Sequence, residues 1–148
     1  MDIRVNGRAA LVGGFASLFV LASAAIAVAV DPPHDKKIRN GREGWESTRW
    51  SDEQYSQLWF KGCDSTSIAG RPVSVTVRYF EDKDFRPDPG YDSKKFTDCF
   101  RSDSAKSMGE WNNLPRGNGF YVRIVDVNST QWDNVDVKSY TVDTTASD

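Results

Sequence analysis

Apolar and polar residues alternate most cleanly from residue 73 to 80. Val73, Val75, Val77 and Tyr79 fall on one face, and Ser74, Thr76, Arg78 and Phe80 on the other. A period of two sustained over that length predicts a half-buried β-strand. The run FYVRIVDV, 120–127, predicts a second strong strand. An earlier one is expected over 55–61, running into Cys63, although Ser51-Asp-Glu-Gln just before it also has the residues of a capped helical turn. Shorter strands are expected over 95–100, carrying Cys99, and over 108–111. In 135–142 the phase changes. Val135 and Val137 share one face while Tyr140 and Val142 share the other, which predicts a β-bulge near Lys138-Ser139. The intervening stretches EDKDFRPDPGYDS, RSDSAKS and NNLPRGNG are rich in turn-forming residues. No amphipathic helix is visible after residue 30. The pattern therefore predicts an all-β fold, a small antiparallel β-sandwich of about six to seven strands.

A different kind of sequence precedes these strands. Arg4 and Arg8 stand before an uncharged run from Ala9 to Val30, which Asp31-Pro32-Pro33 ends abruptly. This reads as a secretory signal over 1–29. Ala27-Val28-Ala29 suits cleavage, with Ala22-Ser23-Ala24 and Ala25-Ile26-Ala27 as alternatives. The run exceeds the usual apolar core of about 7–15 residues, so an uncleaved N-terminal anchor is the competing reading. Both place 31–148 outside the cell. Residues 30–49 are expected to be a flexible polar linker, 50–143 the sandwich, and 144–148 a disordered tail.

Charge and cysteine content narrow the picture. Of 19 basic and 21 acidic residues, two basic and one acidic lie in the leader, which leaves 17 against 20, a net of −3. Such a balance gives no basic footprint for nucleic acid and no polybasic patch for a membrane surface. Cys63 and Cys99 are the two cysteines. In a disulfide-permitting compartment an even pair predicts one bridge, worth roughly 3–4 kcal/mol on the chain-entropy model. A redox or metal-binding thiol pair lacks both a C-x-x-C spacing and a neighbouring histidine.

Two local features carry a resemblance. Leu114-Pro115-Arg116-Gly117 followed by Phe120-Tyr-Val-Arg-Ile-Val resembles the last hairpin of bacterial immunoglobulin-like modules, where an L-P-x-G turn precedes a Y-x-V-x-V strand. Leader, polar tether, single bridge and short strands together resemble small exported β-sandwich proteins of Gram-positive bacteria. The resemblance implies an immunoglobulin-like sandwich and an external location. It brings no catalytic residues with it.

Candidate chemistry is sparse. The single histidine, His34, falls in the expected linker beside Pro33, where nothing would hold it against a serine or cysteine nucleophile. Zinc draws on several histidine or cysteine ligands, and paired carboxylates need a cleft to grip a sugar. No enzyme activity, no catalytic residue and no cofactor is expected. The acids of one loop (Glu81, Asp82, Asp84, Asp88, Asp92) and of the last hairpin (Asp126, Asn128, Asp133, Asn134, Asp136) miss the EF-hand spacing, and read as solvated turns without a metal. The Asn128-Ser129-Thr130 sequon likewise reads as a turn. Trp59, Tyr79, Phe96, Tyr121 and Tyr140 are assigned to the core. Trp132, between Gln131 and Asp133, resists burial, as does Trp45 in the tether. Trp132, with Trp111, is the candidate for stacking on a sugar or anchoring a partner. In the proline-stiffened loop 85–91, Arg86 and Tyr91 are candidates for contact with a protein. The expected function is a secreted, non-enzymatic binding module for cell-wall or environmental polysaccharide. The alternative is a protein-directed effector or protease inhibitor acting on an extracellular protein through loop 85–91.

Overall fold

The computed structural model describes residues 31–52, 54–65, 73–130 and 132–145. The expected signal segment, 1–29, lies outside these residues. Eight strands appear among them: β1 (Lys36–Gly41), β2 (Trp50–Asp52), β3 (Tyr55–Ser65), β4 (Val75–Glu81), β5 (Gly90–Phe96), β6 (Lys106–Asn112), β7 (Gly117–Val127) and β8 (Val135–Asp143). They form two four-stranded antiparallel sheets, β1-β8-β3-β6 and β2-β7-β4-β5. The all-β sandwich expected from the alternation is what the chain adopts.

The strand order is that of a jelly roll. Successive strands change sheet at every step except β4 to β5, the pattern of two interleaved Greek keys. In an immunoglobulin-like sandwich the last two strands share a sheet. Here β7 and β8 lie in different sheets, so the immunoglobulin-like order is corrected. The hairpin motif at 114–125 governs how β7 begins. It does not govern which sheet β8 joins.

Inward residues of both sheets build one core. Ile38, Leu58, Phe60, Val135, Val137, Tyr140 and Val142 meet Trp50, Val75, Val77, Tyr79, Phe96, Phe120, Val122 and Ile124, all buried. Edge-on pairs such as Phe60–Phe96, with ring centroids 5.1 Å apart, cross the interface. Each such large side chain removed from water stabilises the fold by about 1.5–3 kcal/mol. Cys63, on β3, and Cys99 form the expected bridge, with Cα atoms 5.1 Å apart. Cys99 sits on a 3-10 turn, Asp98–Phe100, between β5 and β6 rather than on a strand over 95–100.

The expected bulge in β8 is present and explains its phase change. Val135, Val137, Tyr140 and Val142 are all buried, and an extra residue opposes β1 where the pairing steps from Lys36↔Tyr140 to Ile38↔Val137. The neighbouring strand β3 changes phase at the same level. Phe60 and Cys63 both face inward, with Gly62 at φ +62° between them. A side chain at position 62 would bring Cβ within 2.5 Å of the Asp103 carbonyl oxygen. Because both strands shift together, β3 and β8 keep their mutual register from Gln57↔Asp143 to Ser65↔Val135.

The flexible linker expected over 30–49 is corrected. Its middle is β1, with Ile38 fully buried. The Val142 N–H donates to the Pro33 carbonyl at 2.8 Å, and residues 44–47 run along β7 through Gly44 N–H to Ile124 O and Ser47 N–H to Val122 O. Trp45 packs edge-on against Tyr140 at 5.7 Å. An edge strand guarded by Lys36, Lys37 and Arg39 has the composition of a linker, because edges carry charge against unwanted pairing. The helical turn at 51–54 is also replaced, by β2 and an Asx turn. Asp52 Oδ1 accepts the N–H groups of Gln54 and Tyr55 at 3.0 and 3.1 Å. No helix among the described residues is long and apolar enough to cross a membrane.

Candidate functional site

The outer face of the first sheet has an ordered arrangement of side chains. Because β3 lies between β8 and β6, its outward residues at 57, 59 and 61 each have a partner on both sides. The registers give three rows: Ser139–Lys61–Lys106, Thr141–Trp59–Met108 and Asp143–Gln57–Glu110. Trp59 is therefore outside and half-buried, not in the core as expected. Leu58, Trp59 and Phe60 are all apolar, so the run itself does not reveal which parity faces inward. Gln57 and Lys61, which share the parity of Trp59, were the available signal.

The indole is held in place. Its Nε1–H donates to Gln57 Oε1 at 3.2 Å, and Lys106 Nζ lies 5.7 Å from the ring centroid. Met108, beside it on β6, is 42% exposed, which extends the apolar row to the sheet edge. On the other side residues 33–35 form a rim over β8. Asp35 N–H donates to Thr141 Oγ1 at 3.1 Å, Ser139 Oγ donates to Asp35 Oδ1 at 2.8 Å, and His34 Nδ1 lies 3.3 Å from Asp35 Oδ2. Together they enclose a depression of about 340 Å³ with His34 at its margin. Asp143, at its far end, is held below the usual carboxylate range, chiefly by hydrogen bonds from the Thr145 hydroxyl and N–H. An aromatic plane bordered by fixed donors and acceptors is the chemistry of a site for a small polar ligand with one apolar face.

The residues singled out from the sequence are not brought together. Trp132 is 88% exposed in the β7–β8 connection. That turn is braced by Asn128, whose side chain accepts the Ser74 N–H and donates to Ser65 and Asp133. Trp111 is buried, and its indole N–H donates to the Asp92 carbonyl at 2.7 Å, locking β6 to β5. Its candidacy as an exposed stacking residue is corrected: it shares a face of β6 with the small, inward Ser107 and Gly109, and so joins the core. Tyr91 is half-buried, packed edge-on against Tyr79 at 5.9 Å, with its hydroxyl 3.3 Å from Glu81. Phe85 and Arg86 are exposed at the loop tip, with Phe85 at φ +60°. Asp88 braces the loop by accepting the Lys83 N–H and the Tyr121 hydroxyl. β4 pairs Val75 with Val127 at its start and Glu81 with Phe120 at its end, so Trp132 and Phe85 project from opposite ends of the sandwich.

The outer face of the second sheet is sealed by its own charges. Phe80 and Tyr121 stack with centroids 5.4 Å apart. Arg49 covers Tyr121 at 3.9 Å and Arg123 covers Phe80 at 4.5 Å. Both guanidiniums bind Glu46, and Arg49 also binds Asp82. Tyr121 is buried as expected, but under this layer rather than between the sheets. Burial and donation to Asp88 push its phenol up to about 12, with Arg123 partly opposing. Comparison of the chain with protein-family models, curated proteins and solved structures found no match.

Proposed function

We propose that this domain is an exported carbohydrate-binding module and that Trp59 is the platform on which the sugar stacks. The observation that carries the reading is a half-buried tryptophan facing outward from the middle of a sheet, its indole oriented by Gln57 and ringed by hydroxyl, amide and carboxylate groups. The C–H face of a pyranose covers an indole plane, while its hydroxyls need neighbouring donors and acceptors; this face supplies both. Export is supported by the leader pattern at 1–29 and by a disulfide, which suits an oxidising compartment. Jelly rolls include lectin domains, an analogy at the level of fold alone.

The test is a pull-down of the domain on insoluble polysaccharides of cell-wall and plant origin. Truncating a central aromatic anchor costs about 2 kcal/mol, or roughly thirtyfold in affinity. Trp59→Ala should show that loss while Trp132→Ala retains binding. Failure of the wild-type domain to bind any polysaccharide, or full retention by Trp59→Ala, would refute the platform. A second reading rests on the exposed Phe85-Arg86 tip on its braced loop. There the partner is a protein, and Phe85→Ala abolishes its capture without affecting sugar binding.

A further inference from the structure

We infer that the saccharide taken by this face is anionic, with a sugar carboxylate seated between Lys61 and Lys106; this rests on the Trp59 reading and names its ligand class. The two lysines are direct cross-strand partners in the β3–β6 pairing, on the same outward face. Directly opposed like charges destabilise a sheet. Neither lysine joins an ion pair among the described residues. Asp35 reaches the end of the lysine row, where the Ser139 hydroxyl and His34 hold it; Asp143 is engaged by Thr145, and Glu110 by Asn112 at 2.6 Å. Lys138, on the same sheet, is paired with Asp103.

Distance separates the lysines from the other two acids. The row holding Asp143 and Glu110 lies four residues along β3 from the lysine row, about 13 Å at the usual strand rise. That exceeds the screening length of about 8 Å at physiological salt. Apart from Asp35 on the rim, the face is thus polarised, with a cationic row, an aromatic row and an acidic row in sequence. Opposed Cβ atoms about 5 Å apart let two ammonium groups converge on one carboxylate. A ring stacked on Trp59 then directs its acid toward the lysines and its hydroxyls toward Gln57 and the far carboxylates. Densely charged sulfate or phosphate polymers fit less well. They would bring added negative charge against Asp143 and Glu110, and phosphate is gripped best by the arginine fork, which this face lacks.

Affinity electrophoresis of the domain in polygalacturonate, and in the same polymer with its carboxyls reduced to alcohols, tests this. The wild type should be retarded by the acidic polymer and much less by the reduced one, with retardation weakening as salt rises. Lys61→Gln and Lys106→Gln should each weaken binding about two- to fivefold, and more together. Trp59→Ala should abolish it, with circular dichroism confirming the fold of each variant. Equal binding of both polymers, insensitive to the lysine changes but lost in Trp59→Ala, overturns the anionic assignment and leaves the saccharide platform standing. Preference for dextran sulfate or a polyol phosphate overturns the carboxylate. Binding by Trp59→Ala that still depends on the lysines identifies simple charge adsorption and overturns the inference. No retardation in any polymer overturns both readings.

Discussion

Asp52 should be among the most sensitive positions in the fold. Its carboxylate is buried at the β2–β3 turn and accepts four hydrogen bonds: the N–H groups of Gln54 and Tyr55 on Oδ1, and the hydroxyls of Ser56 and Tyr79 on Oδ2. Ser56 belongs to the first sheet and Tyr79 to the second, so one side chain both shapes the turn and clamps the sheets. In Asp52→Ala the backbone donors turn to water, since Gln54 is exposed. The hydroxyls stay buried, 3.0 Å apart, and can satisfy only one of their two protons between them. Losing two charge-assisted bonds of about 1.5–3 kcal/mol each, less the relief of no longer burying a carboxylate, gives a cost of about 3–5 kcal/mol. That is a large share of the roughly 5–15 kcal/mol typical of a domain. Tyr79→Phe alone should cost about 1–2 kcal/mol, because the carboxylate keeps three donors. Combined with Asp52→Ala, it should be neutral or stabilising, because it removes the orphaned proton. Urea unfolding of the wild type, both single variants and the double variant measures this coupling. A cost below about 1 kcal/mol for Asp52→Ala, or equal effects of Tyr79→Phe in both backgrounds, would refute the clamp.

Two further perturbations have defined outcomes. The bridge spans a sequence separation of 36, so reduction or the Cys63→Ala/Cys99→Ala variant should destabilise by about 4 kcal/mol and lower Tm by about 15 °C. A fall of only a few degrees by calorimetry would show that strand pairing already confines the loop in the unfolded ensemble. Tyr121 contributes to an alkaline loss of stability, together with the likewise raised Tyr79, Tyr91 and Tyr140, because its phenol is pushed up to about 12 in the fold from about 10 in the unfolded chain. The native state therefore holds a proton the unfolded state releases. The resulting stability is complete below about pH 10 and lost as pH rises toward about 12. Tyr121→Phe should make that stretch of the pH–stability curve shallower, and an unchanged slope would assign the alkaline loss to the other raised phenols.

The sequence made the strongest strands legible because both faces of each carry contrasting residues over many positions. The bulge in β8 was legible for the same reason: the step from Val137 to Tyr140 breaks a period of two within the strand itself. β1 was not, since an edge strand needs one inward anchor, here Ile38, and Lys36, Lys37 and Arg39 around it match the composition of a tether. Sheet membership is non-local, so no hairpin motif distinguishes a jelly roll from an immunoglobulin-like order. The candidate site depends on parity. Trp111 was readable as buried from Ser107 and Gly109, and Trp59 as outward from Gln57 and Lys61, but each needs a register that only the neighbouring strand supplies. His34 reaches the site because 33–35 pair with β8, a contact made across more than a hundred residues.

The position of β8 has a consequence for how the chain reaches its native state. This strand, the last of the eight described to emerge during synthesis, occupies the interior of the first sheet between β1 and β3. Until residues 135–143 arrive, β1 has no hydrogen-bonded neighbour and β3 lacks one of its two. Closure of such distant pairings is slow, and until it happens the second sheet, whose four strands all precede β8, has only an incomplete partner to pack against. The topology thereby makes completion of the two-sheet core depend on the last of the eight described strands.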